Sequence, residues 1–282
     1  MKIDVLLIPM SARYAEMREA ALAVEDAGFD GLWTWDHLRD PDDGSGPGVP
    51  EALTALAALA EVTRRVTLGP LVLNVSNRHP GLLANMAATL QTISGGRFIL
   101  GIGAGGSRRT QYAAEQHALG LTVEPDPVRA ERVAEAIQVI RRLWSGDRSN
   151  FSGETYRLER PLGYLRPDPP PPIIVGGFGP RMAGIAGQHA DGFNTQAMHP
   201  QLGDLVKIAR DAQAAAGRDA SRFLVTVFAG MGESWLRPDS RGRQMLERVG
   251  VARLILLISP PFDTGEIRRH GRLLADARAA AD

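Results

Sequence analysis

The chain contains no cysteine. Disulfides and thiolate chemistry are therefore excluded, and a metal site would have to be built from His, Asp and Glu. None of the six histidines stands four residues from another. The helical pairing that marks many zinc sites is thus missing, and no bound metal is expected. There is no apolar run of about 18 residues, and the chain enters a strand pattern at its second or third residue. No membrane span and no signal peptide are expected, which places the protein in the cytoplasm. Neither charge dominates, with 32 basic against 32 acidic residues. Without a net field, nucleic acid and anionic membrane are poor partners, and a small-molecule substrate is the expected one.

What is present is the composition of a globular protein with a sizeable core, 44% hydrophobic and 23% charged over 282 residues. Length alone permits two domains or one α/β barrel. The pattern chooses between them. Val66 to Gly106 reads as strand, helix, strand: an apolar run ends at Asn74, Pro80 opens a helix where its missing amide hydrogen costs nothing, Ser94-Gly95-Gly96 closes it, and Phe98 to Ile102 form the next strand. Before this unit, strands at Ile3 to Pro9 and Asp30 to Trp35 alternate with helices at Ala15 to Ala27, capped by Gly28, and Ala52 to Val62. After it come an amphipathic helix from about Val128 to Trp144, a small hairpin over Asn150 to Leu158 and a proline-rich connector, Pro167 to Pro172. Strands follow at Ile173 to Val175, Gly192 to Thr195, Phe223 to Ala229 and Leu254 to Ile258, with helices to His189 and over Leu202 to Ala216. Eight strands alternating with helices, and no composition break, predict a single α/β domain over residues 1–282, a (β/α)8 TIM barrel.

In such a barrel the ligand site lies where the strands end. Those positions hold Asp36 and His37, Asn74, the run Gly103, Ala104, Gly105 and Gly106, the run Gly177, Phe178 and Gly179 before Pro180, and Thr195. His37 is the one histidine directly at a strand end, and imidazole suits proton donation or abstraction near neutral pH. Neighbours on a strand point to opposite faces, so contact between Asp36 and His37 is not implied, and the alternative is that Asp36 braces the following loop. Gly177 to Pro180 at a helix start offers unpaired amides suited to a phosphate, or simply a tight turn. Gly101 to Gly106, counted from Gly103, has Arg108 where the dinucleotide fingerprint needs its last glycine; Gly101, Gly103 and Gly106 do have the G-x-G-x-x-G spacing, but no acidic residue has a clear ribose role. Its glycines are better explained by a flat ligand lying against the backbone. His79 reads as a helix-entry residue and His189 as a helix-end residue, while Trp33 and Trp35 read as core. Arg108, Arg109 and Arg181 flank the glycine loops, as anion contacts or as solvated surface. The loop Arg39 to Pro50 is too long for a minimal barrel connection and reads as a flexible lid or a substrate-facing insertion; periodicity fixes no role for the polar segment Ser107 to Pro127, which with that loop is expected to shape the substrate pocket.

GFDGLWTWDHL at 28–38, VTLGPLVLNVSNRHP at 66–80, LQTISGGRFILGIGAGG at 90–106 and PPIIVGGFGPRMAGIAGQHADGFN at 171–194 resemble the luciferase-like superfamily of flavin and deazaflavin enzymes. The resemblance is closest to its coenzyme F420-dependent oxidoreductases, with FMN as the alternative cofactor. It implies a (β/α)8 barrel and homodimerisation. It also implies that Asp36 and His37 contact the deazaflavin ring, with His37 in acid-base work, and that Leu71-Val72 is a non-proline cis peptide backing the ring. Asn74 would approach the ring edge, Gly103 to Gly106 the ribityl chain, and Gly177, Phe178 and Gly179 the phosphate. Thr195 joins this cofactor set as a strand-end residue. Two departures stand out: Gly106 occupies the place of a catalytic glutamate in the sugar-phosphate dehydrogenases, and Pro41 that of an aromatic. They make an F420H2-dependent reductase the expected activity in preference to a sugar-phosphate dehydrogenase. The alternatives are an FMNH2-dependent monooxygenase and a non-catalytic flavin-binding protein.

Overall fold

Nine parallel segments form one sheet that curls until its two ends meet. The computed structural model describes residues 1–40, 46–110 and 112–280; Pro41, singled out above, and part of the 39–50 loop lie outside them. The first half runs β1 (Lys2–Leu7), α1 (Tyr14–Asp26), β2 (Gly31–Thr34), α2 (Ala52–Val62), β3 (Thr67–Pro70), β4 (Leu73–Asn74), α3 (Pro80–Ile93) and β5 (Leu100–Gly103). A short α4 (Ala113–Ala118), a long α5 (Asp126–Ser145) and an antiparallel hairpin, β6 (Phe151–Ser152) with β7 (Arg157–Leu158), come next. The second half holds β8 (Ile173–Gly176), α6 (Pro180–His189), β9 (Gly192–Gln196), α7 (Leu202–Ala215), β10 (Leu224–Gly230), α8 (Glu233–Leu236), α9 (Arg241–Val249), β11 (Arg253–Ile258) and α10 (Thr264–Ala279).

The sheet order is β3-β2-β1-β11-β10-β9-β8-β5-β4. Leu68 closes it: its amide donates to the Arg97 carbonyl at 2.9 Å and its carbonyl accepts from Ile99 N at 2.8 Å. β3 and β4 are two halves of one barrel strand, separated at Leu71-Val72, whose peptide bond is cis. The eight expected strands are therefore present, with the third one broken. Periodicity could not show that break, because the apolar run continues through it.

Two apolar layers follow from strand alternation. Ile3, Val5, Leu7, Leu32, Phe193, Val225 and Val227 face the helices, in one cluster with α1, α3, α5 and α6. Leu6, Trp33, Leu71, Ile99, Ile174 and Ile255 form a second cluster without a helical member, the barrel interior, with Ile8, Trp35, Val72 and Phe228 packed against it. Below them a buried ion pair, Asp4 with Arg253 (2.6 Å), also takes the Trp33 indole N–H at 2.8 Å. Burial raises the Asp4 pKa although Arg253 opposes it. Among the described residues, no helix is long and apolar enough to cross a membrane.

Candidate functional site

Strand parity decides which strand-end residues meet. Trp35 and His37 continue the interior face of β2, and Asp36 leaves on the other side. His37 lies edge-on to Trp35, with ring centroids 5.7 Å apart, and stacks on Tyr112 at 5.4 Å and 29°. Its Nδ1 is 2.7 Å from Glu115 Oε1. Nothing among the described residues hydrogen-bonds to Nε2. Trp33 is core as expected, whereas Trp35 is only half-buried and belongs to the mouth.

Asp36 has the bracing role that strand alternation allows it. Its buried carboxylate accepts Arg78 Nη1 (2.8 Å), Arg78 Nη2 (2.7 Å) and the Asn74 amide (2.9 Å). Arg78 also reaches Glu51 at 2.6 Å, and Glu51 caps α2 by accepting from Leu53 N and Thr54 N. Burial works against the Arg78 charge, but the two carboxylates outweigh it and hold its pKa above the ordinary value. Asp36 thus joins β2, α2 and the β4–α3 loop, with no acceptor directed at His37. The Asn74 side-chain oxygen is likewise occupied, accepting the Ser76 amide at 2.9 Å, whereas its Nδ2 has no partner among the described residues.

The glycines divide into two kinds. Gly101, Gly103 and Gly176 make room for Val72: a Cβ at Gly103 or Gly176 would lie 2.8 Å from its Cγ2, and one at Gly101 would lie 2.2 Å from the Pro70 carbonyl oxygen. They accommodate a side chain, where a flat ligand was expected. Gly105, at φ +74°, lies against the Asn74 side chain. Arg129 draws the Ala104 and Gly105 carbonyls to its guanidinium, the latter at 2.8 Å. A trans peptide points the next N–H the opposite way. The Gly105 and Gly106 amides therefore face away from Arg129, and neither has a described partner.

At the start of α6, the Gly177 amide donates to the Asn194 carbonyl at 3.0 Å, so it is not available to a ligand as expected. The amides of Phe178, Gly179, Arg181 and Met182 have no described partner. With the positive end of the helix dipole they form an anion cradle. The Phe178 ring is exposed and meets Phe228 edge-on at 6.3 Å. Thr195 lies off the interior face of the barrel. It follows Phe193 on the helix-facing side of β9, and its buried hydroxyl has no hydrogen-bond partner. Arg181 pairs with Glu131 at 2.6 Å and Arg108 donates to the Val123 carbonyl, which accounts for both without a ligand. His79 caps α3 through Gly81 N (3.1 Å), and His189 ends α6 with its pKa lowered by burial.

Sequence reading missed Glu115 and Tyr112. They sit in a segment without clear periodicity, and no local signal ties them to His37.

A family profile described as luciferase-like monooxygenase matches residues 2–232. The chain belongs to this family. Within reach of this luciferase-like chain is an F420-dependent glucose-6-phosphate dehydrogenase of Nakamurella multipartita, 38% identical over 72% of the chain and 59% of that protein. A 5,10-methylenetetrahydromethanopterin reductase of Archaeoglobus fulgidus is 31% identical over 96% of the chain and 74% of that protein. The chain spans 48–59% of the length of the first five dehydrogenases it matches. Among solved structures, an F420-dependent secondary alcohol dehydrogenase superposes with a TM-score of 0.82 at 20% identity, covering 99% of this chain and 100% of that one. That likeness establishes the shared barrel.

Proposed function

We propose that this luciferase-like protein is an F420-dependent oxidoreductase that transfers a hydride between the deazaflavin C5 and a small organic substrate. The observation that carries the reading is a free anion cradle and a histidine with an unpartnered Nε2 at the same end of one barrel. The 38% identity to a dehydrogenase named for F420 supports the choice of cofactor.

The residues fit such a group. The Phe178, Gly179, Arg181 and Met182 amides would hold its phosphate, the Gly105 and Gly106 amides would meet the ribityl chain, and Leu71 and Val72 would back the ring. When bound, the cofactor supplies a hydride donor or acceptor. The protein orients it and handles the accompanying proton, which His37 gives or takes at Nε2. Asp36 acts through the loop it braces.

The preference for a reductase rests on two departures, Gly106 and Pro41. Glu115 brings a carboxylate to the same mouth, which removes the first ground, while Pro41 lies outside the described residues; alcohol oxidation stands beside reduction of an unsaturated carbon, imine or carbonyl. A homodimer is proposed on family grounds, to be read by sedimentation.

The test is a binding titration of the apoprotein with F420 and with FMN, followed by anaerobic mixing of the preferred reduced cofactor with candidate acceptors. F420 is expected to bind more tightly and to turn over. FMN binding without F420 binding would favour the monooxygenase reading, in keeping with the family description. Stoichiometric binding with no redox exchange would indicate a flavin-binding protein. Turnover unchanged in His37→Ala would remove the histidine from the chemistry.

A further inference from the structure

The contact between His37 and Glu115 spans 78 residues of sequence. Glu115 lies on α4, in the segment between β5 and α5 that no strand or long helix organises. Tyr112 and Glu115 are three residues apart and so share one side of that turn. Together they take hold of one ring: Tyr112 covers its face at 5.4 Å, and Glu115 meets Nδ1 at 2.7 Å. Trp35 stands edge-on at 5.7 Å. Glu115 is also tied down by its other oxygen, which accepts the Leu38 amide at 3.3 Å. Its side chain is 13% exposed, so the contact is largely screened from water.

An ionised carboxylate only accepts hydrogen bonds. The proton in this contact therefore resides on His37 Nδ1, whether the ring is neutral or charged, and Nε2 is the nitrogen left to exchange one. A carboxylate bound to one imidazole nitrogen fixes both the tautomer and the ring orientation, leaving the other nitrogen to the reaction.

We propose that Glu115 is a positioning residue for His37, and that the 107–125 segment thereby supplies the mouth with the carboxylate absent at Gly106. The catalytic consequence rests on the function proposed above. In alcohol oxidation His37 Nε2 would take the hydroxyl proton, the bound oxidised cofactor supplying the hydride acceptor; in carbonyl reduction Nε2 would give that proton back, the reduced cofactor supplying the hydride. A ring free to rotate or to change tautomer would present the wrong nitrogen for part of the time.

The experiment has two arms. Long-range proton–nitrogen NMR of the apoprotein at alkaline pH, with His37 assigned by its loss in His37→Ala, reads the tautomer directly. Wild type should show the Nδ1–H form, and Glu115→Ala should lose it in favour of Nε2–H, with Glu115→Gln as a second variant that preserves the side chain's shape. With F420 and substrate, Glu115→Ala should lower kcat by about 10–100-fold while the F420 Kd stays within about 2-fold. Glu115→Asp should restore part of kcat. An unchanged tautomer and unchanged kcat in Glu115→Ala would overturn the assignment, as would an F420 Kd that weakens in step with kcat. If the tautomer changes but wild type turns over no F420, the positioning role stands and the proposed function fails.

Discussion

The Asp36 carboxylate and the Arg78 guanidinium form a two-pronged ion pair, 2.7 and 2.8 Å, on the side of β2 away from His37. Adjacent residues thus have separate work: Asp36 secures the loops of the barrel mouth, and His37 enters the mouth itself. The separation is a consequence of strand alternation.

Removing one partner of a buried pair leaves the other charge uncompensated, at a cost of about 3–5 kcal/mol. Arg78 keeps Glu51, so Asp36→Ala should show a loss toward the lower end of that range in denaturant unfolding. His37→Ala, which leaves the Glu115 carboxylate without its imidazole partner, should cost about 1–3 kcal/mol and lose turnover. An Asp36→Ala protein as stable as wild type would show that Glu51 alone compensates Arg78 and that the brace is dispensable.

Gly179 allows stability and binding to be driven in opposite directions. Its φ of −144° is extended backbone, and a Cβ there meets nothing within 4 Å. Aspartate at this N-cap should stabilise α6 by about a few tenths of a kcal/mol. The same carboxylate would repel a phosphate at the cradle, so Gly179→Asp should raise the unfolding midpoint slightly and weaken F420 binding by at least about 10-fold, roughly 1.4 kcal/mol. Undiminished affinity would place the phosphate elsewhere.

Gly101 and Gly184 give contrasting alanine substitutions. At Gly101 the new methyl would stand 2.2 Å from the Pro70 carbonyl oxygen, a backbone atom. Overpacking of this kind costs about 1–3 kcal/mol. Gly184, inside α6, has open space at its Cβ position, so alanine there should stabilise by about 0.5–1 kcal/mol through helix propensity. Thermal unfolding of the two variants should shift in opposite senses; equal shifts would contradict the close approach of β5 to the third barrel strand.

Glu25 predicts a pH dependence. Burial raises its pKa, but the amides of Arg64, Arg65 and Val66, at 2.9, 2.6 and 3.0 Å, more than offset this and hold it below the ordinary glutamate value. A lowered folded-state pKa contributes stability that is full above the unfolded value, near ~4.3, and is lost as pH falls through the folded value. The stability gap between wild type and Glu25→Gln should be widest near neutrality and narrow in acid. A gap of constant width would mean that the amides do not favour the charged form.

Much of the barrel is legible in local sequence. The second helix falls on Ala52 to Val62 as periodicity predicts, and Gly28 has the positive φ, +82°, that its place after α1 requires. The strand-end rule likewise locates His37 at the mouth. Other positions are not legible. Thr195 stands one residue before the end of β9 and faces the helices, because parity is fixed by the neighbours with which Phe193 packs. The Gly177 amide looks available until the Asn194 carbonyl is seen beside it. α8 is only four residues long, and α9 is a nine-residue helix with just three apolar positions, Met245, Leu246 and Val249, too few to stand out from its charged surroundings.

The sequence by itself determined the alternation of strands and helices and the chemical types at the strand ends, since these follow from apolar spacing, helix caps and turn residues within a few positions of one another. Only the tertiary structure decided that Asp36 belongs to Arg78, that Gly101 and Gly103 serve Val72, and that Glu115 holds His37. Those contacts join residues 29 to 78 positions apart. Closing the barrel brings them together, and no local spacing encodes the result.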